Sequence, residues 1–258
     1  MDHLYQHFRR EEKHFIDQVL QWKESVITQY SPKLTDFLDP REQEIVFSVI
    51  GDHSEVKVSF QGGVLDTERK RALLYPDYFQ PENEDFKLTL FEVKYASKFI
   101  TLQHRQVLGA LMSLGIKRSK FGDIRFSNET VQFVCAREIS DYLITNFLEV
   151  GRAKVTLKEK ELNEFSPQAE VYQEIVTTVS SLRLDVIGSA VYNISRQKIQ
   201  PLITNGLVKV NWKTVESVSF ECREGDTLSV RGYGRSKVTA IEGKTKKDRF
   251  RIVFHVWK

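Results

Sequence analysis

The pattern that most constrains this fold lies in residues 181–258, where two short helical segments precede a series of strands. The first segment predicts a helix beginning near Arg183, because four positions share one helical face: Leu184, Ile187, Gly188 and Val191. Ser195 is a candidate N-cap for the second helix, which we expect to be short or kinked because it contains Pro201. The segment therefore predicts two short helices joined by a tight turn, ahead of a sheet.

Alternating residues after the second helix predict strands. Residues 207–212 place Lys209 and Asn211 on one face of a strand, and residues 227–231 form a second strand after a turn. The run 243–248 predicts a hairpin tip between the last two strands. We expect two basic residues that follow a pair of glycines to lie on the rim of a loop: Arg235 and Lys237.

The charge of the chain is concentrated in the same segment. Residues 181–258 contain 15 basic and 7 acidic side chains, a net charge of +8, whereas the preceding 180 residues contain 23 basic and 28 acidic side chains, a net charge of −5. Arg196 and Lys198 lie in the first turn of the second predicted helix, where the positive end of the helix dipole attracts anions. This asymmetry indicates a nucleic-acid partner.

The order of these elements resembles the alpha-L RNA-binding domain, the module named after small-subunit ribosomal protein four. The resemblance implies a basic surface that grips RNA, with Asp185 orienting the basic groups beside it. The predicted RNA contacts are Arg183, Arg196, Lys198, Lys209, Asn211, Arg231, Arg235 and Lys237.

The middle of the chain predicts a second fold. Residues 86–160 follow the order strand, helix, strand, strand, helix, strand, with a hairpin turn at 127–129, and this order is ferredoxin-like. The RNA-recognition fold shares this order, but the aromatic strand signature that stacks bases on its sheet is not evident here. Four basic residues beside the first helix are candidates for secondary RNA contacts: Arg105, Lys117, Arg118 and Lys120.

The amino-terminal region predicts an α/β arrangement. A helix comes first, residues 34–40 are interpreted as a turn and cap, residues 41–50 as a helix, residues 56–60 as a strand and residues 68–71 as a charged cluster. The predicted fold class is therefore α+β and multidomain. Its segments are an amino-terminal α/β region (1–85), a ferredoxin-like middle domain (86–160), a linker or short helix (161–180) and the alpha-L domain (181–258).

The whole chain also resembles the YlmH family of bacterial proteins. The residues that carry this resemblance, besides the alpha-L pattern, are Phe60-Gln61-Gly62-Gly63, Glu68-Arg69-Lys70-Arg71, His104-Arg105-Gln106-Val107-Leu108-Gly109-Ala110-Leu111 and Gly122-Asp123-Ile124. The resemblance implies a cytoplasmic RNA-binding protein in ribosome-associated quality control, with ribosomal RNA, tRNA and the large ribosomal subunit as partners. We expect a monomer that binds RNA without catalysis.

Two alternatives come from other functional classes. Alpha-L domains are often attached to pseudouridine synthases, whose catalytic aspartate also lies in an Arg-Leu-Asp sequence like that of residues 183–185. Only 73 residues follow Asp185, too few for such a catalytic domain. A protein-interaction adaptor linked to cell division is the other alternative, although the charge of +8 favours RNA.

The sequence predicts no cofactor, metal site or membrane span. His3, His7 and His14 lack supporting cysteines, and Cys135 and Cys222 lie in separate predicted strands, where we expect them to be reduced and buried. The thirteen glycines do not fall at the spacings of phosphate or dinucleotide loops. The nonpolar runs are shorter than the roughly 20 residues that a membrane helix requires.

Overall fold

A computed structural model describes most of the chain, which divides into two compact units, residues 1–169 and residues 170–258. The described residues are 8, 12–51, 55–127, 130–167, 172–245 and 247–257. His3 and His7 lie outside them, as do Asn128 and Glu129 of the predicted hairpin turn. None of the helices in the described ranges is both long and nonpolar enough to cross a membrane.

The first unit begins with two helices and a three-stranded antiparallel sheet of order β1-β3-β2. The elements are α1 (Lys13–Gln29), β1 (Lys33–Leu38), α2 (Pro40–Ile50), β2 (Val56–Gln61) and β3 (Lys70–Pro76). A capping box starts α2, because the Asp39 carboxylate accepts from the Glu42 N–H at 2.9 Å and the Glu42 carboxylate accepts from the Asp39 N–H at 2.7 Å. The nonpolar faces of both helices pack on the sheet.

The interpretation of residues 34–40 as a turn and cap was wrong for most of that segment. Only Asp39 and Pro40 cap the helix, whereas residues 33–38 form β1. The charged Asp36 interrupts the nonpolar pattern of this strand in the sequence. In the structure its carboxylate accepts hydrogen bonds from Ser119 and Lys120, at 3.0 and 2.5 Å, far along the chain. A long-range partner therefore stabilises a strand whose local signals indicate a turn.

The second half of the first unit has the predicted ferredoxin-like fold, with an antiparallel sheet of order β5-β6-β4-β9. Its elements are β4 (Leu88–Lys94), α3 (His104–Ser113), β5 (Phe121–Ser127), β6 (Thr130–Ala136), α4 (Ser140–Asn146), β7 (Glu149–Val150), β8 (Ala153–Lys154) and β9 (Thr156–Lys160). The added hairpin of β7 and β8 makes the last strand of the main sheet start later than the sequence pattern predicts. Helices α3 and α4 pack on one face of the sheet.

The other face of this sheet is buried inside the first unit. Leu88 and Leu90 of β4 pack there against Phe37 of β1, Leu73 of β3 and Phe165. Phe37 is 1% exposed, and a Cβ atom added at Gly122 of β5 would lie only 2.8 Å from its ring. The amino-terminal sheet therefore covers the face on which RNA-recognition folds stack bases.

The second unit is a six-stranded antiparallel sheet with two helices on one face. Its elements are β10 (Tyr172–Val179), α5 (Leu184–Tyr192), α6 (Arg196–Thr204), β11 (Val208–Val210), β12 (Lys213–Thr214), β13 (Thr227–Val230), β14 (Gly234–Lys244) and β15 (Phe250–Trp257). The strand order is β10-β15-β14-β13-β11-β12. Both predicted helices are confirmed, and α6 is short and contains Pro201.

Three predictions for this unit need correction. Residues 172–179 form strand β10, paired along its length with β15, and not a linker or short helix. Arg235 and Lys237 lie in β14 and not on the rim of a loop. The strand predicted over 207–212 ends at Val210, because Asn211 and Trp212 take positive φ angles of 49° and 61° in the turn to β12.

Candidate nucleic-acid interface

The start of α5 is fixed by backbone hydrogen bonds to the loop before β13. Leu184 donates its N–H to the Phe220 carbonyl at 2.8 Å, and Asp185 donates its N–H to the Val218 carbonyl at 3.3 Å. Arg183 occupies the N-cap position with an extended backbone, so α5 begins where the sequence predicts. The first turn of α5 therefore has one orientation, which sets where its side chains lie.

Asp185 lies at the centre of the helix pair and is fully buried. Its carboxylate accepts hydrogen bonds from Arg183 Nε at 3.1 Å and Nη2 at 3.3 Å, from Arg196 Nη2 at 2.5 Å and from Gln200 Nε2 at 2.9 Å. These donors come from both helices. The predicted orienting role of Asp185 is thus visible as a shared hydrogen-bond acceptor that joins α5 to α6.

The surroundings keep this carboxylate ionised. Burial alone would raise the pKa of Asp185, but the hydrogen bonds from Arg183, Arg196 and Gln200 outweigh it and lower the pKa to about 2. A charged Asp185 at neutral pH holds two guanidinium groups at one place. Without it, two neighbouring cations would repel each other and lose their common orientation.

The two arginines still face solvent. The Arg183 side chain is 41% exposed and that of Arg196 is 52% exposed, although both donate to the same carboxylate. A guanidinium has five N–H donors, so each side chain retains donors for a phosphate oxygen. Arg183 and Arg196 are therefore a pre-oriented pair that forms a candidate anion contact, and we call them the arginine pair.

The amino terminus of α6 adds to this contact. Ser195 occupies the predicted N-cap position, but its side chain makes no capping hydrogen bond among the described residues. The exposed Lys198 lies in the first turn beside Arg196. The positive end of the helix dipole and two cations therefore coincide at this point.

The predicted RNA contacts on strands lie on the opposite side of the sheet from the helices. Val208, Val210 and Val230 point into the core beneath α5 and α6, so their alternating neighbours point outward. Lys209 pairs with Ser229, and Ser229 pairs with Arg235, which places the three side chains in one row across the outer face. Lys237 belongs to the same face. The structure thus divides the predicted contacts into a helix group and a sheet-face group.

Two predicted contacts lie at turns. Arg231 is exposed just after β13, where its N–H donates to the Leu207 carbonyl at 3.0 Å. Asn211 uses its side chain within the protein, since its amide donates to Asp226 at 2.8 Å and its carbonyl accepts from the Thr227 N–H at 2.9 Å. This pair of bonds fixes the turn between β11 and β12, which gives Asn211 a structural role.

The four candidate contacts of the first unit also separate into two kinds. Arg105 and Lys117 are exposed. Arg118 donates to the carbonyls of Phe121 at 2.6 Å and Gly122 at 3.2 Å, and burial together with the charge of Arg69 lowers its pKa to about 10. Lys120 bonds Glu138 at 3.0 Å in addition to Asp36. Arg118 and Lys120 therefore stabilise the first unit.

The cysteines are buried and unpaired, as expected. Cys135 is 0% and Cys222 is 1% exposed, and burial raises the pKa of both thiols, to about 12 for Cys222. Within the described ranges, the His, Cys, Asp and Glu side chains form no group of three or more that could hold a metal ion.

Sequence reasoning missed Gln200 and the aromatic residues of the outer sheet face. Gln200 lies one helical turn after Arg196, so the spacing of α6 could have indicated that both reach the same carboxylate. Trp257 and His255 alternate with buried residues in the last strand, a period-2 pattern that predicts a shared outer face.

Three family models match successive parts of the chain. They are "YlmH, N-terminal" over residues 11–79, "Putative RNA-binding domain in YlmH" over residues 81–164 and "S4 domain" over residues 182–228. The last match includes both helices that carry the arginine pair. The second unit is therefore an S4-type RNA-binding domain.

Individual relatives identify the family. The chain is 50% identical over 254 residues to Ribosome-associated protein quality control protein P2 of Bacillus subtilis (strain 168), which covers 98% of each chain. It resembles a solved structure, Cell division protein ylmH from Streptococcus pneumoniae, with 34% identity and a TM-score of 0.55 over 63% of this chain and 99% of that one. Mitochondrial transcription rescue factor 1 of Mus musculus is 27% identical over 112 residues, 39% of this chain and 47% of its own. The chain belongs to the YlmH family, which confirms the predicted resemblance.

Proposed function

We propose that this protein binds structured RNA of the ribosome without catalysis. Its targets are ribosomal RNA and tRNA on the large ribosomal subunit, where it acts in ribosome-associated quality control, in the cytoplasm and as a monomer. The arginine pair carries this proposal, because one buried carboxylate holds both guanidinium groups toward solvent. Such a pair suits two phosphate groups at a fixed spacing.

The charge distribution supports RNA as the partner. The net positive charge of the chain lies within residues 181–258 of the S4-type unit, which carry +8 against −5 over the rest of the chain. Phosphate contacts supply most of the affinity for RNA and little of its sequence preference. A preformed basic surface therefore favours a folded RNA that is recognised by shape.

The ribosomal part of the proposal is supported by similarity. The Bacillus subtilis relative, half identical over nearly the full length of both chains, is named as a ribosome-associated quality-control protein. The name of that relative specifies the ribosome but neither of its two subunits. Cosedimentation with separated subunits therefore tests the choice of the large subunit directly.

The environment of Asp185 supports binding without chemistry. In a pseudouridine synthase, the alternative class of protein, the catalytic aspartate of the Arg-Leu-Asp sequence must reach the substrate. Asp185 is fully buried and accepts four hydrogen bonds from side chains of its own domain. A carboxylate in this position orients arginines and does not contact a base.

The test is cosedimentation with separated bacterial ribosomal subunits at low and moderate salt. We expect wild-type protein to pellet with the large subunit, and Arg183→Ala/Arg196→Ala to lose most of that recovery. The salt slope of binding should become shallower by about 2, since roughly one counterion is released for each phosphate contact. Arg183→Lys/Arg196→Lys keeps the charge but not the paired geometry, so we expect an intermediate loss.

A control variant separates the arginine pair from total charge. Arg223→Ala/Lys247→Ala removes two exposed cations from the same unit and should retain wild-type recovery. If this control loses recovery as completely as the arginine variant, net charge and not the arginine pair determines binding. If wild-type protein fails to pellet with either subunit, the ribosomal proposal is wrong and the adaptor alternative becomes the leading one.

A further inference from the structure

The outer face of the sheet in the second unit has a composition that the arginine pair does not explain. Helices cover the inner face, whereas the outer face remains solvent-exposed at several large side chains. Tyr172 is 39% exposed and Val176 is 48% exposed on the edge strand β10.

Strand register places aromatic and basic side chains side by side across the outer face. Arg235 of β14 pairs with Trp257 of β15, and Trp257 pairs with Tyr172 of β10. With Lys209 and Ser229, these residues form one row across five strands, about 19 Å long because neighbouring strands lie about 4.8 Å apart. This row is long enough to hold a short segment of an extended chain.

Direct contacts confirm that the aromatic residues form a cluster. The rings of Tyr172 and His255 are stacked, with centroids 3.7 Å apart and planes inclined by 12°, and the Trp257 ring meets Tyr172 edge-on at 6.4 Å. At the other side of the row, the Arg235 guanidinium lies over the Trp212 ring at 5.5 Å. The aromatic residues Trp257 and Tyr172 therefore occupy one end of the row, beside Arg235, which also covers the Trp212 ring.

The charges on this face favour an anionic occupant. Lys209 projects from β11, and Arg235 and Lys237 both project from β14, on the other side of β13. Two acidic groups lie on the same face, each beside a basic or titratable side chain: Glu174 of the edge strand lies 3.6 Å from His255, and Glu242 bonds Arg251 at 2.8 Å. A purely nonpolar peptide or a second copy of the same basic face would not use the three central cations.

We propose that the outer sheet face, centred on Tyr172, His255, Trp257 and Arg235, binds a short unpaired RNA segment. Its bases stack on the aromatic cluster while Arg235, Lys237 and Lys209 contact its phosphates. Stacking on exposed rings beside a basic track is how proteins hold single strands with little sequence preference. This inference deepens the proposed function, since it assigns unpaired RNA to one face and structured RNA to the helix side.

The test measures binding of a fluorescein-labelled 12-nucleotide oligouridylate by fluorescence anisotropy at low salt, about 50 mM. We expect Tyr172→Ala/Trp257→Ala to weaken binding at least about fivefold, because each stacked base contributes that much or more. Val176→Ala is the matched control: it lies on the same strand and the same face, outside the aromatic cluster, and should change the affinity less than about twofold.

The arginine variant makes this inference separable from the proposed function. Arg183→Ala/Arg196→Ala should retain most oligouridylate binding while losing the ribosomal subunit, and the aromatic variant should retain most of its cosedimentation. Unchanged oligouridylate binding by the aromatic variant, or no binding by wild-type protein, would overturn the inference and leave the ribosomal result intact. A concentration-dependent dimer of the wild-type protein in sedimentation velocity, abolished by Tyr172→Ala/Trp257→Ala, would also overturn the inference. The occupant of the outer face would then be a second copy of the chain.

Discussion

The sheet of the ferredoxin-like half and the sheet of the S4-type unit are both antiparallel, and both have helices on one face. They differ in what lies on the second face. In the first unit that face is buried, with Leu90 and Phe37 at most 1% exposed. In the second unit it presents Lys209, Arg235 and Trp257 in one row.

This difference shows that having the strand order of an RNA-recognition fold does not make a sheet face an RNA-binding surface. The ferredoxin-like half has the topology of an RNA-recognition fold, yet its sheet face is used for packing against the amino-terminal sheet. The missing aromatic signature therefore has a structural reason. The surfaces of the first unit that remain for RNA contacts are helix surfaces and loops such as those that carry Arg105 and Lys117.

The largest expected effect concerns the buried face of the sheet in the first unit. Phe37→Ala should lower the free energy of unfolding of the first unit by about 3–5 kcal/mol, since a fully buried ring that packs on Gly122 would leave a cavity. Hydrogen exchange followed by mass spectrometry should show the loss of protection in β1 and β4. Protection in the strands of the second unit should not change.

A matched substitution on the other sheet gives the contrast. Tyr172→Ala should change the free energy of unfolding by no more than about 0.5–1 kcal/mol, because its ring is partly solvated in the folded state. Equal losses for both substitutions would mean that the outer face of the second sheet is also part of a core. The proposed difference between the two sheets would then be wrong.

The second expected effect concerns acid. The pKa of Asp185 is lowered to about 2 in the folded protein, so its stabilising contribution is fully present above its ordinary value near 4 and is lost as the pH falls toward 2. We expect about 1–2 kcal/mol, because Arg183 and Arg196 remain partly solvated. Urea unfolding between pH 5 and pH 2.5, followed in the second unit, measures this loss.

Asp185→Asn is the control for the acid prediction. The amide keeps the shape of the side chain but has no charge, so the variant should start less stable and lose less stability between those pH values. If wild-type and variant curves run parallel, carboxylates other than Asp185 cause the acid sensitivity. The arginine pair would then not depend on an ionised aspartate.

A third and smaller effect concerns the contact between the two helices. Gly188 of α5 faces Ile199 of α6, and a Cβ atom there would lie 2.4 Å from Ile199 Cδ1, in a core where Ile199 is 0% exposed. Overpacking should outweigh the higher helix propensity of alanine, so Gly188→Ala should cost about 1 kcal/mol of unfolding free energy. Thermal unfolding measures it, and a more stable variant would show that α6 can move.

The sequence was sufficient to predict the elements that depend on local signals. The helical face of α5, its start at Arg183 and the short α6 with Pro201 all follow from spacing and capping rules, and each is present. The four-stranded ferredoxin-like order also follows from local alternation. These patterns involve residues close together in the chain, so no distant partner is needed to interpret them.

Other elements depended on distant partners or on a signal that was overlooked. The strand β1 needs Ser119 and Lys120, more than 80 residues away, to satisfy Asp36. The strand β10 was detectable, since residues 175–179 are Ile, Val, Thr, Thr and Val, all β-branched. At the candidate site, local pattern indicated Arg183 and Arg196, but their meeting at one carboxylate required the packing of two helices.

The smallest expected effect concerns RNA binding by the exposed cations of the first unit. Arg105→Ala/Lys117→Ala removes two exposed cations and should weaken binding to the large subunit about twofold to threefold at low salt, with no measurable change at moderate salt, because exposed charges are screened. The free energy of unfolding should change by less than about 0.5 kcal/mol. Cosedimentation at both salt concentrations measures the first effect. A tenfold loss that persists at moderate salt would place the main RNA surface on the helix side of the ferredoxin-like half, and the exposed face of the second sheet would then be the lesser of the two.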